Sequence, residues 1–187
     1  MQPLLGMTAA AKLEQVLVRR QSRCDASGMD LESLEEIRRL KYRYFRSLDL
    51  KLWDEFGDTF TEDAVGRYGT KVYGELDALE GRDAIVGFMS EKLGNDIITA
   101  HFAHHPEIDI DGDTAEASWG FEDTVMATDF KVLIRGAGYY RDRYRRENGT
   151  WRIAETSYQR IYESMESLDD TPSHQLLANR WAKAPAE

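Results

Sequence analysis

Between Thr114 and Val125 the chain alternates without interruption: Ala115, Ala117, Trp119, Phe121, Asp123 and Val125 fall on one phase, and Thr114, Glu116, Ser118, Gly120, Glu122 and Thr124 on the other. Period two is the spacing of a strand with one buried face, because successive side chains leave the pleated backbone on opposite sides. Such a strand belongs to a sheet packed against another layer. Asp123 breaks the apolar phase. An ionised carboxylate on a buried face loses its hydration unless hydrogen bonds or an opposite charge replace it. The position therefore asks for a partner. Two structural readings stand beside a functional one: Asp123 opens a turn after Phe121 and faces water, or it belongs to a structural ion pair.

The surrounding chain supplies the rest of an α+β pattern. Asp30 or Ser33 can cap a helix, and Glu36 three residues after Ser33 completes a capping box. Leu34, Ile37, Leu40, Tyr44 and Leu48 recur at helical spacing and mark its buried stripe. Trp53, Phe56 and Phe60 suggest a short second helix, residues 64–68 a short strand, and residues 81–94 enclose a third helix packed through Ile85, Phe88, Met89 and Leu93. Four extended stretches follow, over residues 97–110, 114–128, 131–146 and 150–163. Asp111-Gly112 and Asn148-Gly149 are strong hairpin signals, since both dipeptides tolerate positive φ. Helices first and an antiparallel meander after them predict a long twisted sheet curled around the first helix, with a cavity between the layers. Such cavities are where small molecules bind.

Of the 187 residues, 42% are hydrophobic, enough for the core of one domain. The domain is expected over residues 29–165, after an N-terminal extension over 1–28 with a helix around residues 9–20, and before a loosely docked tail over 166–187. A net charge of -10 argues against a nucleic-acid surface or an anionic membrane partner. Arg141, Arg143, Arg145 and Arg146 alternate with Tyr140, Asp142 and Tyr144, the pattern of a solvated strand face. The single Cys24 forbids an internal disulfide and suits a reducing compartment. With no apolar run of membrane-span length and no secretory pattern at the N-terminus, a cytoplasmic location is expected.

Residues 41–49 (KYRYFRSLD), 101–108 (HFAHHPEI), Glu122-Asp123 and 158–162 (YQRIY) closely resemble the bacterial bile-acid 7α-dehydratases, in the SnoaL-like branch of the nuclear transport factor 2-like superfamily. The layout is more distantly similar to scytalone dehydratase and the lindane dehydrochlorinase. The resemblance implies a cone-shaped α+β fold and a catalytic set of Tyr44, Asp49, His101, Asp123 and Arg160. It also implies assembly of SnoaL-like subunits through sheet faces, with a homo-oligomer, and a trimer in particular, expected.

Residue patterns support that set unevenly. Tyr44 lies between Leu40 and Leu48 on the helix stripe, as a core tyrosine also would. Asp49 ends the same helix, where the dipole disfavours a negative charge, yet it can equally cap the next helix. His101 and His104 take opposite strand phases, and periodicity does not choose between them; the resemblance selects His101. Arg160 shares its phase with Tyr158 and Tyr162, the setting of a guanidinium that stacks or pairs with a carboxylate, or of a surface cation-aromatic cluster. The three clustered histidines lack further ligands for zinc, and phosphate-binding, nucleophile-elbow and covalent-cofactor motifs are missing. No cofactor or metal is expected.

A histidine and a carboxylate facing one cavity can move a proton. The expected pairing is Asp123 on one imidazole nitrogen of His101, with Asp49 orienting Tyr44 or relaying its proton and with Arg160 holding Asp123 or stabilising negative charge. The expected activity is cofactor-independent elimination of water from a hydroxylated steroid-like or polycyclic ketone, a small hydrophobic cyclic substrate. A ketosteroid-type isomerase and a noncatalytic subunit similar to the small subunit of ring-hydroxylating dioxygenases are the alternatives.

Overall fold

A computed structural model describes residues 30–69 and 77–182, and the expected N-terminal extension, with its helix around residues 9–20, lies outside the described residues. Helix α1 spans Leu31–Asp49. Of its two candidate caps Asp30 is the one used: its Oδ1 accepts from the Ser33 backbone N–H at 3.0 Å, leaving Ser33 buried inside the first turn. Ile37, Leu40, Tyr44 and Leu48 are buried along one stripe, and Lys41 and Phe45 are buried beside them. The helix stops where Lys51 takes a positive φ of 56°. Helix α2, Trp53–Gly57, follows at once, with Leu52 at its N-cap position and no side-chain cap, so Asp49 does not cap it.

Among the described residues, six strands form one sheet: β1 (Phe60–Arg67), β2 (Leu79–Glu80), β3 (Ile97–Asp111), β4 (Thr114–Ala127), β5 (Val132–Glu147) and β6 (Thr150–Ser167), in the spatial order β2-β1-β6-β5-β4-β3. Helix α3, Arg82–Lys92, lies between β2 and β3 in the chain and buries Ile85 and Met89. The meander β3 to β6 is antiparallel, as its turn residues predict. Asn148 and Gly149 both have positive φ, the requirement of a two-residue type I′ hairpin. One joint departs from the expected all-antiparallel sheet: β1 runs parallel to β6. The hairpin partner β5 occupies one edge of β6, and the strand arriving from the helices fills the other, without a hairpin to impose antiparallel sense.

The expected apolar phase of β4 is the helix-facing side of the sheet. Trp119 and Phe121 are buried there together with Tyr140 and Tyr144 of β5 and Ile153 of β6. An ion pair lies in the same layer. Lys41 Nζ is 2.8 Å from Asp142 Oδ2, and neither side chain reaches solvent. The approach is off the line of a well-formed hydrogen bond, and aromatic rings cover the ammonium: Tyr140 at 3.7 Å, Tyr44 at 4.6 Å and Phe45 at 5.0 Å from Nζ to the centroid. Asp142 is satisfied by its neighbours, accepting from Tyr144 Oη at 2.7 Å and Thr156 Oγ1 at 2.8 Å, while Tyr144 accepts from Trp119 Nε1 at 2.9 Å. Burial pulls the Lys41 ammonium below the usual lysine range and Asp142 opposes that pull. Asp142 therefore is not part of a solvated face. Arg141, Arg143 and Arg145 do point outward, and Arg143 and Arg145 pair with surface carboxylates, whereas Arg146 shares the inner phase of Asp142 and Tyr144 and reaches Ser33 of α1 as well as Asp113.

Removing one partner of a buried pair strands the other, at a cost of about 3–5 kcal/mol. Asp142→Asn is expected to lower unfolding stability by about that amount in urea titration. Loss of less than about 1 kcal/mol, the range of an exposed pair, would count against this account of the core.

Candidate active site

Cross-strand register sets the site. His101 of β3 pairs with Asp123 of β4, Asp123 with Gly136 of β5, and Gly136 with Glu163 of β6. Directly paired residues share a face, so this row crosses four strands on the helix-facing side. The adjoining row runs from Ala103 through Phe121 and Gly138 to Arg160. Asp123 is 6% exposed, and β4 continues to Ala127, so the reading in which Asp123 opens a turn fails.

The partner of His101 is Asp49, not Asp123. Phe45 stacks on the imidazole with centroids 5.4 Å apart and planes 10° from parallel. One helical turn later, Asp49 reaches the same residue. Its Oδ1 lies 2.6 Å from His101 Nδ1 and accepts from Thr99 Oγ1 at 2.8 Å, while Oδ2 accepts from the His101 backbone N–H at 2.8 Å. A carboxylate can only accept, so Nδ1 carries a proton and Nε2 is left as the proton-accepting nitrogen of the neutral ring. Nε2 faces Asp123 Oδ2 across 4.0 Å, too far for a hydrogen bond. The expectation that Asp123 fixes the tautomer is thus corrected, and so is the one that Asp49 orients Tyr44, since the oxygens of Asp49 are engaged on β3.

Asp123 is held by Arg160 instead. Nη1 donates to Oδ1 at 2.9 Å and Nη2 to Oδ2 at 2.7 Å, a fork that matches a carboxylate edge. Burial pulls the guanidinium down, but the hydrogen bonds and charge of Asp123 outweigh it and the net direction is up. The rings of Tyr158 and Phe121 lie 5.1 and 5.4 Å from Arg160 Cζ. The pair spans the width of β5, and Gly136 allows this: a Cβ there would overlap Arg160 Nη1.

Tyr44 is not joined to the other four by any direct bond. It lies one aromatic layer deeper, its ring 5.0 Å from Phe45, and its hydroxyl donates to Tyr68 Oη at 3.3 Å. Burial, then the neighbouring Tyr140 and Tyr68, push its phenol well above the usual range, so it stays neutral and able to donate. His104 and His105 go elsewhere. A bulge between His104 and Glu107, with His105 at φ 49°, turns their rings toward each other, Nδ1 to Nδ1 2.8 Å.

Residue patterns miss two members of the site environment. Glu163 lies 3.0 Å from Arg160 Nε through Oε1. On a regular strand residues three apart face opposite ways, but the register shift between Ala137 and Gly138 leaves Ile161 unpaired and returns Glu163 to the face of Arg160. The same shift sends Tyr162, expected beside Arg160, to the outer face, where it is 52% exposed. The other is Tyr68, whose place against Tyr44 no local pattern announces.

A sequence profile described as the SnoaL-like domain matches residues 29–157. An uncharacterized protein of Mycobacterium tuberculosis is 28% identical over 132 residues, covering 70% of this chain and 86% of its own. Among solved structures, a hexachlorocyclohexane dehydrochlorinase (LinA, type 2) superposes with a TM-score of 0.64 at 15% identity, over 73% of this chain and 90% of that one. A candidate scytalone dehydratase of Novosphingobium aromaticivorans gives 0.65 at 19%, over 72% and 88%. A candidate aromatic ring hydroxylase of the same organism gives 0.64 at 23%, over 75% and 96%. At these identities the structural likeness is one of fold.

Gly136→Ala is expected to expel the Arg160 guanidinium from Asp123 and to destabilise the protein by about 1–3 kcal/mol, as overpacking does. A crystal structure of the variant checks it. An intact Arg160–Asp123 fork in that structure would show that β5 tolerates a side chain at this crossing.

Proposed function

This chain belongs to the SnoaL-like domain family of the nuclear transport factor 2-like superfamily, and on that footing we propose that it is a cofactor-independent lyase of the bile-acid 7α-dehydratase type, eliminating water from a hydroxylated steroid-like or polycyclic ketone. One observation carries the reading: an imidazole whose Nδ1 is held by a carboxylate at 2.6 Å and whose other nitrogen, on the helix-facing side of the sheet, stays 4.0 Å from Asp123 Oδ2. That arrangement sets the tautomer in which Nε2 is the nitrogen able to accept a proton. The names of the dehydrochlorinase and of the candidate dehydratase, both similar in fold, support elimination as the reaction class.

In the proposed reaction His101 Nε2 takes a proton made acidic by conjugation with the ketone. The C–H bonding pair moves into an enolate. When the enolate collapses, the C–O bond to the hydroxyl breaks and the imidazolium returns its proton to the departing oxygen, so that water leaves and a C=C bond remains. Asp49 holds the imidazole and offsets its charge during the step. Arg160, locked on Asp123, provides a fixed positive charge beside the base, and Tyr44 with Tyr68 forms a neutral phenol pair behind it. Outer-face aromatics, including Phe102 at 65% and Tyr139 at 51% exposure, supply apolar surface for the proposed sheet-to-sheet homotrimer. Light scattering at micromolar concentration is expected to give a trimer mass, and a monomer there refutes that assembly.

Incubating the protein with a 7α-hydroxy-3-oxo-4-ene steroid, as free acid and as coenzyme A thioester, is expected to yield a product lighter by one water. Unchanged mass with shifted absorbance would indicate double-bond isomerisation instead. His101→Ala and Asp49→Asn should each lower turnover by about 10² to 10⁴-fold at unaltered melting temperature. Because both act on one proton transfer, the double variant should lose far less than the product of the two. If activity instead tracks the folded fraction in every variant, the residues are structural.

A further inference from the structure

His101 stands between two carboxylates, and only one of them touches it. Asp49 is bonded to Nδ1, and Asp123 Oδ2 is 4.0 Å from Nε2. A shift of roughly 1 Å would bring Asp123 to hydrogen-bond distance, and a carboxylate there requires a proton on Nε2. The imidazole would then be an imidazolium clamped at both ends, unable to accept a proton. Arg160 withholds Asp123 by engaging both of its oxygens. What holds Arg160 is therefore part of the same device. Gly136 gives it room, and Glu163 contacts its remaining edge, with Oε1 3.0 Å from Nε. The Nε–H is buried and not aimed along that contact, so the hold of Glu163 is a charge at close range rather than a formed hydrogen bond. The side chain of Glu163 is 21% exposed and that of Arg160 14%, well short of the exposure at which such attraction is screened away.

We propose that Glu163 is a positioning residue of this site: it retains the Nε edge of Arg160, keeps the Nη edge on Asp123, and so keeps Asp123 off His101 Nε2. The proposal rests on the reading of His101 as the proton acceptor. The charged groups around the imidazole are Asp49 on α1 with Lys51 beyond it, Asp123 on β4, and Arg160 and Glu163 on β6; β5 contributes only Gly136.

Two variants of the full chain test it, Glu163→Gln, which removes the charge, and Glu163→Asp, which keeps the charge but shortens the reach. The readout is the ¹⁵N signal of His101 Nε2, taken at a pH where the wild-type signal is that of a bare nitrogen, together with the Arg160 Nε–H signal. Electrostatics alone gives a definite sign for Glu163→Gln: losing a negative charge disfavours imidazolium, and Nε2 stays bare. The proposal gives the opposite sign in both variants, because Asp123 closes on the ring: Nε2 moves toward a protonated nitrogen and the Arg160 Nε–H signal shifts. A bare Nε2 in either variant overturns it. Neither signal depends on turnover, so a failure of the dehydration assay leaves this test intact. Where the steroid is turned over, kcat should fall by about 10 to 100-fold with KM little changed, the scale of a misplacement of about 1 Å, and an unaltered kcat overturns the proposal as well.

Discussion

The buried contact between Lys41 and Asp142 sets where the first helix lies on the sheet. A charge pair without access to solvent adds little net stability, because desolvation offsets its attraction, but it tolerates almost no displacement. Asp142 accepts from Tyr144 and Thr156, and three aromatic rings enclose the ammonium. A roll of α1, or a slide by one residue, would part Lys41 from Asp142 and leave a buried charge uncompensated. Phe45 and Asp49 follow at spacings of four on the same side, so one turn later a ring stacks on His101 and after a second turn a carboxylate meets its Nδ1. The interaction in the core and the one in the site are thus two ends of one helical stripe.

Across the sheet the site is a line in which acidic side chains alternate with basic ones, the imidazole among them neutral. Asp49, His101, Asp123, Arg160 and Glu163 succeed one another through contacts of 2.6, 4.0, 2.7 and 3.0 Å. The longest gap falls at the imidazole nitrogen that is free to accept a proton. Two backbone features make the line possible. Gly136 lets a side chain cross β5, and the unpaired Ile161 on β6 returns Glu163 to the inner face. Neither carries chemistry, yet without the first Arg160 does not reach Asp123, and without the second Glu163 faces the wrong side.

Much of this was legible in the chain. The capped first helix, the third helix and the four long strands with their Asp-Gly and Asn-Gly turns follow from periodicity and turn chemistry, because those signals act over a few neighbouring residues. Asp123 announced itself as a carboxylate on an apolar phase. The same reasoning applied to β5 selects Asp142, on one phase with Tyr140 and Tyr144, but the flanking arginines suggest a solvated strand and mask it. The spacing of Lys41, Phe45 and Asp49 was also visible, without any local indication of what it faced.

The sequence by itself determined the long elements, their order and the side chains available to the site, since helical and strand periods and turn preferences are properties of the local backbone; the two-residue strand Leu79–Glu80 and the place of Phe60 at the start of β1 were not among them. Tertiary structure alone decided the pairings. Asp49 rather than Asp123 meets His101, Asp123 meets Arg160, and Tyr44 meets Tyr68. The contacts of Asp49 and Tyr44 depend on the rotation of α1 about its axis, that of Asp123 with Arg160 on strand register, and the place of Glu163 on a one-residue bulge. A bulge inverts side-chain facing for every residue beyond it, and a hydrogen bond forms or fails within 1 Å, so no pattern read along the chain carries that information.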